Sequence, residues 1–337
     1  MRLTLLLLPL FMQAQPYSAE RVTVDNIEVI RLSDAGRHTV VSIVPSLGNN
    51  AYSMRVNGKE VFWSPYPSLA GFQQKPVLLG TPLLAPWANR LDGDGFWANG
   101  KRYALNPGLG NLRRDGNQLP IHGLLLYAKD WQVVEMKADA AGAQVTSRLE
   151  FWRYPDWMAQ FPFAHTLEMT YRLSGGTLEV RTAIHNHATE PMPVSIGFHP
   201  YYQLPGVPRD QWSVHIAARA QYVLSAKTTP TGETKPVSFP DLLPLAGRSL
   251  DDVFGDLPEG SETRLEGGGE SIRVRFGPKY PVAVIYSPEG RDFLCIEPMT
   301  GPTNAFNMAH DGTYGNLQTI PPGGVWQESY WVTPAGF

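Results

Sequence analysis

The chain has 337 residues, 43% of them hydrophobic and only 18% charged, with a formal net charge of -3. That is ample material for a large apolar core, and with no basic run to track a phosphate backbone it excludes nucleic-acid binding as a main role. One cysteine, Cys295, excludes an intramolecular disulfide.

In chain order, MRLTLLLLPLFMQAQ opens with the charge of Arg2, continues through the apolar run 3–12 and closes at Gln13-Ala14. The pattern predicts an export signal over 1–14. The run is short of the about 20 residues that span a bilayer, and Pro9 argues against the alternative of a regular buried helix. The expectation is a mature chain from 15 to 337, periplasmic or secreted, with no membrane insertion after signal removal.

From there the pattern is β. SMRVNGKEVFW (53–63) and GFWANGKRYAL (95–105) each set Asn-Gly between alternating residues, a strong hairpin signal because both turn positions accept positive φ. A third hairpin runs from FAHTLEMTYRL through Ser174-Gly175-Gly176 to TLEVRTAIHNH. In its second strand Leu178, Val180, Thr182 and Ile184 share one face and Glu179, Arg181 and His185 the other, predicting a sheet packed on one side. WQVVEM, AQVTSRLEFW, WSVHIAA, SIRVRF, VAVIYS, FLCIEP and WQESYWV read as further strands, and Gly267-Gly268-Gly269 as a hairpin turn. With 32 Gly and 30 Pro between these runs and no long amphipathic helix, the prediction is an all-β, large antiparallel sandwich forming a single domain over 15–337. The segment 226–258 reads as an irregular loop, long enough to be functional or mobile.

Three stretches carry chemistry: LAPWANRLDGDGF, GFHPYYQLPG and CIEPMTGPTNAFN. Each sets polar or titratable groups among glycine, proline and aromatics, as a sugar site needs. In FLCIEP, alternation puts Phe293, Cys295 and Glu297 on one face. Glu297 is then either a partly desolvated base or a strand-end carboxylate in solvent, and the run alone does not decide. His199 is held extended by Pro200, beside Tyr201 and Tyr202; it reads as a general acid or as a core histidine bonded to a carbonyl. His122 adjoins Gly123, which permits close approach of a ligand or backbone. Cys295 reads as a packing residue. His185 and His187 have no third ligand at suitable spacing, so no metal is expected. Phosphate-loop, dinucleotide and Gly-x-Ser-x-Gly signatures are missing where a strand-to-helix turn could use them.

Taken together, Asn89-Arg90 with the hairpin after it, Ile121-His122-Gly123, Gly197 to Tyr201, Leu250-Asp251-Asp252-Val253-Phe254 and Glu297-Pro298-Met299-Thr300-Gly301-Pro302 resemble the aldose 1-epimerase (galactose mutarotase) family, in the family's order, over about residues 29–332. The resemblance implies a galactose mutarotase-like supersandwich. It also implies interconversion of the anomers of a free aldose, with Glu297 as base on the anomeric hydroxyl, His199 as acid on the ring oxygen and His122 as a second imidazole near that oxygen. Asn89, Arg90, Asp251 and Tyr201 are implied as substrate-binding, and no metal or organic cofactor is needed. Two departures stand out: Leu124-Leu125 follows His-Gly where many members have a second glycine, and Asp251-Asp252 leaves the family's aspartate ambiguous. Three alternatives accompany this expectation. One is a carbohydrate-binding protein without chemistry; another is a hexose 6-phosphate mutarotase, if the chain is cytosolic. The third is a glycoside-cleaving enzyme, which needs a second carboxylate, with Asp251 as its candidate.

Overall fold

The computed structural model describes residues 15–337, so the export signal expected over 1–14 lies outside it. Three antiparallel sheets of five, nine and eight strands surround one core. The five-stranded sheet runs in sequence order from Tyr17–Val24 to Lys59–Glu60. The nine-stranded sheet has His165–Ser174, Thr177–Asn186 and the last strand, Val325–Ala335, side by side near its middle. The eight-stranded sheet includes, as neighbours, Leu250–Gly255, Val282–Ser287 and Leu294–Met299.

The predicted hairpins form with the expected turn geometry. Asn57-Gly58 and Asn99-Gly100 all have positive φ, between 50° and 82°. The third hairpin turns on Gly175-Gly176 alone, with Ser174 paired to Thr177 rather than part of the turn. Leu178, Val180, Thr182 and Ile184 are all buried. A fully buried aliphatic side chain contributes roughly 1.5–3 kcal/mol, so a one-residue slip, which would expose this whole face, is strongly disfavoured.

The segment 226–258 departs from expectation. It supplies Pro230–Pro236 and Leu250–Gly255 to the eight-stranded sheet and Leu243–Pro244 to the nine-stranded one. Prolines hid two of these strands, yet both are edge strands, where a missing N–H breaks no ladder. The third, Leu250–Gly255, is interior and carries two adjacent aspartates.

The eight-stranded sheet has two working faces. Leu250, Phe254, Ala283, Ile285, Leu294 and Ile296 point into the main core. Val253, Val282, Val284 and Met299 pack in a smaller cluster on the opposite face, and Cys295 joins Tyr201 and Phe293 in another. Alternation therefore turns Glu297 toward this second face, as FLCIEP predicted.

Candidate active site

Strand register brings the imidazole to the carboxylate. Gly197 pairs with Met299 and Tyr201 with Cys295, so His199 falls at the level of Glu297, and Nε2 of His199 stands 3.2 Å from Oε1 of Glu297. Gly197 permits this approach: a Cβ there would lie 2.1 Å from the Met299 sulfur. The Tyr201 ring stacks on the His199 ring at 4.8 Å and 9°, and also packs against Trp63 at 5.7 Å. The imidazole plane is thus fixed by aromatic contact.

Glu297 is 1% exposed and His199 6%, so the carboxylate is not a strand-end group in solvent. Burial pushes the Glu297 carboxyl well above its usual range, with the Asp251 charge adding to the rise and Arg90 opposing it. Burial likewise drives His199 down, and Arg90 acts in the same direction. Apart from the contact between them, the two Glu297 oxygens and Nδ1 of His199 have no hydrogen-bond partner among the described residues, so His199 is not a core histidine bonded to a carbonyl.

The opposite wall is made of loops. His122 and Gly123 are both left-handed, at φ 65° and 64°, and wrap the chain around one carbonyl: Leu124 and Leu125 both donate their N–H to the oxygen of Ala85, at 2.7 and 3.2 Å. Gly123 is required there, because a Cβ would meet that oxygen at 2.1 Å. Leu125 then turns fully into the main core and Leu124 partly, which accounts for apolar residues after His-Gly. The His122 N–H donates to the oxygen of Asn89 at 2.9 Å, and its ring meets His199 edge-on at 5.4 Å. Burial holds His122 well below the usual histidine range, and the neighbouring His199, Arg113 and Arg90 lower it further.

Asn89, also left-handed, accepts from Nη1 of Arg90 at 3.0 Å. Arg90 gives its Nε to Oδ2 of Asp115 at 2.7 Å and directs Nη2 toward Asp251, 4.0 Å from Oδ2. Its backbone is held from another quarter: Asn304 donates N–H to the oxygen of Arg90, and Oδ1 of Asn304 accepts from the N–H of Asp92, both at 2.9 Å.

A cavity of about 220 Å³ lies between the two walls, lined by Leu78, Asn89, Arg90, Ile121, His122, His199, Tyr201, Asp251, Val284, Tyr286 and Glu297. All seven expected site residues are among them. Asp251 faces Tyr286 across the ladder, and Asp252, on the other side of the strand, accepts from Gln221 at 2.7 Å instead. Burial raises the Asp251 carboxyl against the pull of Arg90. Tyr286, Asp115 and Asn304 were not anticipated. Tyr286 occupies an alternating position in VAVIYS and was legible as facing the same side as Val284; the other two act through contacts far apart in sequence. Outside this region, His187 bonds to Thr166 and His185 lies 3.8 Å from Glu168. His199, Cys295 and Glu297 bring potential ligand atoms within 4.8 Å of one another, but the cysteine is fully buried beside Tyr201 and its thiol is pushed up by burial, a poor donor for a cation.

Comparison with known proteins bears on the fold and the family. The chain is 25% identical to an uncharacterized Escherichia coli K12 protein, YihR, over 71% of this chain and 75% of that one. Its fold matches a galactose mutarotase-like protein from Clostridium acetobutylicum with a TM-score of 0.84 at 20% identity, covering 96% of this chain and 99% of that one. It also matches galactose 1-epimerase from Lactobacillus acidophilus NCFM, with a TM-score of 0.75 at 14% identity, covering 95% and 99%. At such identities the likeness is one of fold, but the sequence model of aldose 1-epimerases matches residues 28–333, and the chain belongs to the aldose 1-epimerase family.

Proposed function

We propose that the protein is a mutarotase, interconverting the α and β anomers of a free aldose by opening and reclosing the hemiacetal ring. The observation that carries this reading is the 3.2 Å contact between His199 and Glu297 at the floor of a sugar-sized cavity. The anomeric hydroxyl and the ring oxygen of a pyranose sit on one carbon, so two groups in contact with each other can serve both.

The shifts fit the chemistry. Burial disfavours charge on either group, which favours the state with one proton, on the carboxyl. Moving that proton across the contact gives carboxylate and imidazolium, the form that reacts. A sugar hydroxyl donating to Glu297 and a ring oxygen accepting from His199 favour that form. Glu297 then takes the proton of the anomeric hydroxyl as the bond from C1 to the ring oxygen breaks, and His199 protonates the departing ring oxygen. Rotation about C1–C2 presents the other carbonyl face, and reversed transfers close the ring with both groups restored. His122, held neutral, offers a hydrogen bond near the ring oxygen. Asn89, Arg90, Asp251 and the phenol of Tyr286 read the remaining hydroxyls, and export of the mature chain remains part of this reading.

Polarimetry of freshly dissolved α-D-glucose and α-D-galactose in weak buffer tests it. Wild-type protein should accelerate mutarotation, and Glu297→Gln should lower that acceleration by roughly 10²–10⁴-fold, the usual range for a general base, with circular dichroism unchanged. Acceleration that survives would remove Glu297 as the base. Sugar binding without acceleration by wild-type protein would favour the binding-protein alternative.

A further inference from the structure

Among the described residues Arg90 is the only Lys or Arg lining the cavity, and its charge is already answered. Oδ2 of Asp115 takes the Nε–H of Arg90 at 2.7 Å, while Oδ1 of the same carboxylate accepts the N–H groups of Asn117 and Leu119, each at 2.9 Å. This is an aspartate-headed turn whose second oxygen is committed to the arginine. The Asp115 side chain is 8% exposed and that of Arg90 16%, so solvent screens the pair weakly. Burial works against the charge of Asp115, but the bond from Arg90 and the two N–H bonds outweigh it and hold the carboxyl below its usual range. Asp115 is therefore a charged partner, not a line of the cavity.

The charge balance around the substrate follows. Burial favours the uncharged forms of His199, Glu297 and His122. Arg90 and Asp115 cancel. Asp251, 43% exposed at the mouth and 4.0 Å from Nη2 of Arg90, adds a negative charge. Other cations nearby are engaged elsewhere: Arg114 pairs with Asp94 at 2.8 Å, Lys227 pairs with Asp92 at 3.1 Å, and Arg113 stands over the ring of Tyr127. Arg113 lies close enough to influence His122 but does not line the cavity.

Building on the mutarotase reading, we propose that Asp115 is a specificity-determining residue: by neutralising Arg90 and fixing its Nε edge, it leaves the guanidinium as a hydroxyl reader and closes the site to sugars bearing a carboxylate or phosphate. The residue acts through Arg90 and touches no substrate itself. A guanidinium with a free charge binds such anions by paired hydrogen bonds; one that already gives its Nε–H to a carboxylate offers an anion less charge and less geometry.

The test compares D-glucose with D-glucuronate and D-galactose with D-galacturonate, by polarimetry for kcat/KM and by calorimetry for binding. Wild-type protein should prefer each neutral sugar by about tenfold or more. Asp115→Asn keeps an oxygen for the turn and removes the charge; it should raise the ratio of uronate to neutral kcat/KM by about tenfold, chiefly through KM. Arg90→Gln added to Asp115→Asn should cancel the gain. Equal losses for both sugar classes in Asp115→Asn would mean a merely structural role and overturn the proposal. So would a uronate gain that persists without Arg90. A wild-type protein that takes uronates as readily as neutral sugars overturns it too, whether or not the variant folds. If wild-type protein accelerates no sugar at all, the mutarotase reading fails separately. Calorimetry with the same four sugars then decides selectivity on its own: neutral preference relaxed by Asp115→Asn supports it, and no preference overturns it.

Discussion

Glu297, Tyr286 and Asp251 come from three adjacent strands of one sheet, whereas Asn89, Arg90 and His122 come from two loop segments joined by single backbone contacts. On the strand wall Tyr286 is held by ladders on both sides and Asp251 and Glu297 by a continuous ladder to its strand, Val282–Ser287, so each would keep its direction if one bond were lost. On the loop wall, direction depends on three left-handed residues, Asn89, His122 and Gly123, and on the few groups that clasp them. The strand wall should therefore be sensitive to side-chain chemistry and tolerant of backbone change, and the loop wall the reverse.

Gly123→Ala is the severest way to break that contrast. The new methyl would sit 2.1 Å from the Ala85 oxygen and 2.4 Å from its carbon, at a φ of 64°. Left-handed strain alone costs about 1–2 kcal/mol, and the clash forces His122 to move as well. We expect a stability loss of about 2 kcal/mol or more by urea denaturation and roughly 100-fold lower kcat/KM by polarimetry. A variant with wild-type rate would show that the loop wall adapts.

Asp251→Asn against Asp252→Asn probes the strand wall. The residues are adjacent, and alternation gives one to the cavity and the other to Gln221. A charged hydrogen bond to substrate contributes about 1.5–3 kcal/mol, so Asp251→Asn should raise KM at least about tenfold, while Asp252→Asn should change it less than about twofold. The opposite order would move the sugar-binding aspartate one residue along.

This contrast also separates what the sequence made legible from what it did not. Periodicity of two is local, so the hairpins, the packed face of Thr177–Asn186 and the side on which Glu297 lies could all be read from a few neighbours. Register is not local. That His199 lies opposite Glu297 depends on pairing between Gly197 and Met299, interrupted at Pro200, and no short window contains it. Leu250-Asp251-Asp252-Val253-Phe254 stayed ambiguous because both faces carry apolar residues, Leu250 and Phe254 on one and Val253 on the other, so alternation fits either aspartate. Asp115 and Asn304 were missed because their turn chemistry is commonplace and their partners, Arg90 and Asp92, are distant in the chain.

Glu297→Gln should expose the cost of the strand wall's carboxylate in stability. Its folded pKa lies above the ordinary 4.5, so this group stabilises the fold only at low pH and destabilises it increasingly as pH rises past 4.5. Glutamine keeps the shape and drops the charge. The melting temperature of the variant should match wild type near pH 4 and exceed it at pH 7. A variant less stable than wild type at pH 7 would mean that Glu297 is held ionised by a partner.

The smallest effect expected is on the pH profile. Two protons can bind the His199–Glu297 pair, and the reactive state holds one. Adding the second makes a buried imidazolium beside a neutral carboxyl, and burial with the nearby Arg90 pushes that step below the ordinary histidine value of 6.5. Removing the last leaves a buried carboxylate beside neutral imidazole, and burial with Asp251 pushes that step above the ordinary glutamate value of 4.5. Both shifts widen the interval in which one proton is bound, so kcat/KM, corrected for spontaneous mutarotation, should show an acid limb displaced below the ordinary histidine value and a basic limb displaced above the ordinary glutamate value. A single sigmoid centred near 6.5 would instead mean that His199 titrates as an isolated, solvated imidazole. The strand-aimed carboxylate would then contribute nothing to its proton affinity, and the contact that joins the two groups would not be the working pair.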